Sequence, residues 1–154
     1  MNEMNYQDYD VILDVFKAFQ EQKMDEASNC LDPNFKSVIL NEQVKKEEYV
    51  EMYRRIKEGM PDAKFTIVDL MSDGDVFKLK IKVTGTHTGV MPSMKKGWKT
   101  SKPTGKKINK IVTSLEIVLR GSNIYEIRNC VEGKGIVSGV LDGLHLLPKS
   151  YSAN

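Results

Sequence analysis

The sequence predicts an α+β fold, with helices gathered toward the N-terminus and an antiparallel meander after them. Two observations predict it. Apolar residues recur at helical spacing as far as Ile56, and from Ala63 onward the period becomes two. Helix before strand, rather than the two in alternation, places helices over one face of a curved sheet. The 154 residues contain no internal repeat and no linker, so one domain is expected over residues 1–154.

The first helix rests on Val11, Ile12, Val15, Phe16 and Phe19, which share one face. A short second helix is expected over Met24 to Leu31. It should stop at Asp32-Pro33, because the residue before proline avoids the helical region. Phe35 to Leu40 reads as a short strand. Lys46 to Glu58 is a second long helix, with Tyr49, Met52, Tyr53 and Ile56 on one face and Gly59 and Pro61 as stop signals.

Phe65, Ile67 and Met71 begin the strands, and Ser72-Asp73-Gly74-Asp75 is a hairpin turn. In the next strand Phe77, Leu79, Ile81 and Val83 alternate with Lys78, Lys80, Lys82 and Thr84. That parity carries Gly85 and His87 to the apolar side. A basic loop from about Gly89 to Gly105 follows, then strands over Ile108 to Arg120 and Ile124 to Glu132. The tail after Gly135 has helical spacing, weakened by its glycines.

Composition excludes several functions. No run of about 18 apolar residues exists, so no membrane span is expected. The polar, acidic start is neither a secretory signal nor an Arg-rich transit peptide. Cys30 and Cys130 are too few for a disulfide framework and are read as reduced thiols of a cytoplasmic protein. With two histidines and two cysteines, no metal site is expected. Dinucleotide and phosphate-loop glycine patterns, a GxSxG elbow, HExxH and CxxC are all missing.

Charge is distributed unevenly. Residues 1–62 carry a net −6 and residues 63–154 a net +8, and Lys95 to Lys110 holds seven lysines and no acid. Such a run is a solvated loop, an anion site in which Trp98 stacks on a base, or a lid closed by Met91, Met94 and Trp98. The acidic other half argues against a nucleic-acid partner.

Two sets of residues could carry chemistry. His87 at the end of an apolar row is either a pocket acid or base, or a core histidine satisfied by a local hydrogen bond. On the last strand Ile124, Glu126, Arg128, Cys130 and Glu132 share one parity, and Tyr125, Ile127, Asn129 and Val131 the other; the first set forms a solvated sheet face or a pocket wall.

From Met60 onward the sequence resembles the SnoaL-like polyketide cyclase family, within the nuclear-transport-factor-2-like superfamily. The resemblance is carried by Pro61-Asp62, Gly74-Asp75, Gly85-Thr86-His87-Thr88-Gly89, Pro103-Thr104-Gly105-Lys106 and the closing stretch Ile124-Tyr125-Glu126 to Glu132 with Gly135-Ile136-Val137. It implies a cone-shaped, strongly curved antiparallel sheet wrapped around N-terminal helices, a cystatin-like α+β barrel with a pocket at one end. It also implies acid/base chemistry on a carbonyl-bearing organic substrate without metal or organic cofactor, by a cyclase, isomerase or lyase reaction. In that case His87 and Glu132 are the catalytic candidates, and Arg128, Trp98 and Tyr53 the substrate-binding ones. Arg128 stands where the family pattern has Trp, and Glu132 where it has Asp.

Two functions are carried forward. One is a cofactor-independent enzyme acting on a small organic, anionic molecule. The other is a non-catalytic ligand-binding or homodimeric assembly module. Neither involves nucleic acid or membrane.

Overall fold

The computed structural model describes residues 6–131, 134–148 and 151. The chain runs α1 (Tyr6–Gln20), α2 (Met24–Asn29), β1 (Leu31–Ile39), β2 (Glu42–Lys45), α3 (Lys46–Gly59), β3 (Lys64–Asp73), β4 (Val76–Thr86), β5 (Lys107–Arg120), β6 (Asn123–Asn129) and α4 (Ile136–Gly143). One six-stranded, curved and unclosed sheet has the order β2-β1-β6-β5-β4-β3. Neighbouring strands are antiparallel except β1 and β6, which run parallel.

The alternating strands fold as their pattern dictates. Leu79, Ile81 and Val83 of β4 are buried, as are Leu115 and Ile117 of β5, and Leu79 faces Leu115 in register. These side chains form the concave face. Against it lie α1 and α3, whose apolar faces interlock through rings. Phe19 stacks on Tyr53 with centroids 3.9 Å apart and planes 8° from parallel. Phe35 of β1 leans on Tyr49 at 4.9 Å, and Phe65 of β3 meets Tyr53 edge-on at 5.4 Å. Much of the space inside the sheet is therefore filled by aromatic side chains, each of which buries a large apolar area.

Three local features depart from the sequence reading. The second helix ends at Asn29, and Pro33 sits within β1 rather than terminating a helix. Proline is tolerated there because the β1–β6 ladder is irregular between Leu31 and Lys36. The last strand does not keep one parity. A bulge shifts its register with β5 between Val118 and Leu119, so that Ile124 and Ile127 are both buried. Beyond the bulge Ile127 points inward, and Arg128 falls on the outer face. Finally, the tail glycines do not prevent a helix: α4 forms and packs on β5.

Candidate functional site

Two places gather functional groups: the bracing around His87, and a cleft beneath α4.

The bracing assembles the family-like motifs. Gly89 lies so close to the end of α3 that a Cβ there would sit 2.1 Å from the carbonyl oxygen of Glu58; only glycine permits this approach. The Gly89 N–H donates to the Gly59 carbonyl at 3.0 Å. The Thr86 N–H donates to Asp62 Oδ1 at 2.7 Å, and Lys57 Nζ donates to the carbonyls of Pro61 and Ala63, both at 2.9 Å. His87 is wholly buried, and its Nδ1 is 2.9 Å from Thr104 Oγ1. Its N–H donates to the Lys106 carbonyl and its carbonyl accepts from the Gly105 N–H, both at 2.9 Å. Its Nε2 is buried without a hydrogen-bond partner among the described residues. Burial pushes the ring's pKa below the ordinary histidine value, and the Ser101 backbone pulls the other way. Neutral imidazole is thus the favoured form.

The lysine-rich segment is pinned rather than loose. Met91 and Ser101 exchange two backbone hydrogen bonds of 2.8 Å, Arg55 donates to the Ser93 carbonyl at 2.5 Å, and Lys95 Nζ lies 3.2 Å from Glu42.

The cleft is built from β5 and α4. Gly143 lets the helix lie against the strand, since a Cβ there would be 2.7 Å from Ile111 Cδ1. Along the rest of this contact the two elements leave a cleft of about 730 Å³, lined by Thr113, Ser114, Lys134, Ser138, Asp142 and Tyr151 among apolar neighbours. That volume suits a small organic ligand. Gly135 and Ser138 also border a second, inner cavity of about 20 Å³, with Tyr49, Tyr53, Leu115, Ile127 and Asn129 around it. It has room for roughly one water or one ligand oxygen.

The hydroxyls of Tyr49 and Tyr53 lie 3.0 Å apart, as i,i+4 neighbours on α3. One of their two protons makes the bond between them and the other is left to donate elsewhere. Burial raises both pKa values well above the ordinary phenol range, so the pair is neutral.

The expected site residues are scattered over the molecule. Tyr53 borders the inner cavity. His87 lines neither the cleft nor the inner cavity. Trp98 lines a separate cavity beside the lysine-rich segment. Arg128 lies on the outer face, its side chain 48% exposed and 3.2 Å from Glu126. Glu132 lies outside the described residues; its chain neighbours Val131 and Lys134 line the cleft. Tyr53, His87, Trp98 and Arg128 therefore do not meet in one pocket. The sequence reading passed over Asn129, Ser138, Asp142 and Tyr151. The i,i+4 tyrosines and the four-residue spacing of Gly135, Gly139 and Gly143 were the available signals for a cavity here. Among the described residues no three metal-ligating side chains cluster, and no helix is long and apolar enough to cross a membrane.

The family model for SnoaL-like polyketide cyclases matches residues 10–133. No curated protein matches. Among solved structures, a candidate SnoaL-like polyketide cyclase from Jannaschia sp. CCS1 superposes with a TM-score of 0.71 at 18% identity, covering 96% of this chain and 98% of the other. AclR, a candidate hydroxylase from Streptomyces galilaeus, gives 0.68 at 17% identity over 94% and 88% of the two chains. A candidate ketosteroid isomerase from Kribbella flavida gives 0.56 at 9% identity over 80% and 76%. Three chemistries on one fold leave the reaction to be argued from the site.

Proposed function

Because the chain belongs to the SnoaL-like polyketide cyclase family, we propose that it binds a small carbonyl-bearing organic molecule in the cleft beneath α4 and removes a proton next to the carbonyl. The observation that carries this reading is the shared border of the two cavities at Gly135 and Ser138. A ligand body in the larger cavity can place a single oxygen in the smaller one, beside the tyrosine pair.

The free hydroxyl proton of that pair donates to the carbonyl oxygen. As the adjacent carbon loses its proton, the electron pair moves onto this oxygen, and a preorganised donor in a small cavity stabilises the developing charge. The proton goes to Glu132, the carboxylate that the family resemblance assigns this role. No metal or organic cofactor is needed for the step. Of the charged groups at the cleft, Lys134 offers an ion pair to an anionic ligand and Asp142 opposes it. His87 acts in this reading as a positioning residue, holding the Thr104 segment.

The test uses 2-tetralone in deuterated water, with exchange of its acidic protons followed by NMR. Wild-type protein accelerates exchange, and Glu132→Gln reduces the acceleration at least about a hundredfold with the fold intact. Unchanged acceleration in that variant contradicts the role given to Glu132.

A second reading keeps the ligand and drops the turnover. It is favoured by Arg128, which stands where the family pattern has Trp and pairs on the outer face with Glu126. In this reading, exposed Met71 and Val112 on the same outer face join two copies. Ligands would then raise the melting temperature without being converted.

A further inference from the structure

The lysine-rich segment has a cavity of its own. The space between residues 91–101 and the last turn of α4 with the chain that follows it is about 470 Å³. Met91, Met94 and Trp98 line it from one side and Leu141, Leu146 and Pro148 from the other; Lys99 stands at its edge. It shares no lining residue with the cleft beneath α4. Its walls are thus apolar on two sides, with methionines able to adjust to irregular shapes.

Three observations narrow what it would take. The walls are held in place by the paired Met91–Ser101 hydrogen bonds and the Trp98 N–H bond to the Lys95 carbonyl, so the cavity is preformed. The one charged residue that lines it is Lys99, and the acid nearest the segment, Glu42, is already paired with Lys95. Lys96, Lys99 and Lys102 are exposed and make no ion pair among the described residues, and the segment from Lys95 to Lys110 contains no acid. The Trp98 ring is not an open platform for a nucleic-acid base: Lys95 Nζ sits over it at 5.8 Å, and Tyr151 meets it edge-on at 6.0 Å.

We propose that this cavity is a second binding site, for a small apolar carboxylate whose hydrocarbon body lies against Trp98 and Leu141 and whose head meets Lys99. The apolar walls supply the affinity. The lysine discriminates an acid from its neutral counterpart, by the modest factor that a partly solvated ion pair provides.

Trp98 is the only tryptophan of the chain and lines this cavity; its edge-on neighbour Tyr151 borders the cleft, so each titration is repeated with 2-tetralone saturating the cleft. The full-length protein is titrated with decanoate and, separately, with decanol. Decanoate changes the emission saturably, decanol binds about fivefold more weakly, and Lys99→Glu removes the preference for the acid while leaving decanol binding as it was. Lys99 is exposed, so its replacement does not threaten folding. Absence of any decanoate response, equal binding of acid and alcohol, or an unaltered preference in Lys99→Glu overturns the proposal. So does an oligothymidine that shifts the emission where decanoate does not. None of these readouts depends on ketone exchange, so this site and the cleft stand or fall separately.

Discussion

The start and the middle of β5 contrast sharply. Near Lys107 the chain is fastened: Asp62 to Thr86, His87 to Thr104, and the backbone of His87 to both Gly105 and Lys106. Toward Thr113 and Ser114 the same strand borders an open cleft. The residues most easily recognised in the sequence belong to the fastened end. Recognisable spacing there reflects what the backbone requires to close the loop onto α3. The open stretch beneath α4 is made of glycines, serines and a tyrosine whose spacing says little until the helix is seen on the strand.

This contrast predicts how substitutions divide. The largest effect on stability belongs to His87→Ala, which empties a fully buried position and removes the shorter of the two hydrogen bonds at Thr104 Oγ1. A loss of about 2–5 kcal/mol is expected, as for other buried side chains cut to alanine, measured by urea denaturation. A smaller effect is pH dependence. The pKa of His87 is lowered on folding, so the unfolded chain binds more protons, and its contribution to stability is whole above about pH 6.5 and declines as the pH falls below that. Melting temperatures from pH 8 to 5 should show the decline in the wild type and its removal in His87→Asn. The smallest effect belongs to the cleft: Lys134→Ala, at an exposed position, changes stability by less than about 0.5 kcal/mol while weakening any anionic ligand held there.

Much of the fold was legible before any coordinates. The helical faces of α1 and α3, the alternation of β4 and that of β5 from Ile111 onward need only side-chain periodicity, a local property. The parallel pairing of β1 with β6 was not legible, because it joins segments about ninety residues apart, as the 2.6 Å bond from Ser37 Oγ to the Ile127 carbonyl records. The bulge in β6 was equally hidden, and it moved Arg128 to the outer face. Burial of His87 followed from parity. Its attachment to Thr104 rather than to a cavity did not, since only the path of the intervening loop decides it.

The central claim is that ligand chemistry belongs to the tyrosine pair and structural support to His87. The most direct measurement compares two proteins in the 2-tetralone exchange assay, with melting temperatures taken alongside. The double variant Tyr49→Phe/Tyr53→Phe removes both buried hydroxyls together and leaves neither unpaired, so it should melt near the wild-type temperature. Its exchange rate should fall by about 10²–10³. His87→Asn should melt lower yet keep, per folded molecule, a rate close to wild type. The account is contradicted if the double variant exchanges normally while His87→Asn, still folded, does not.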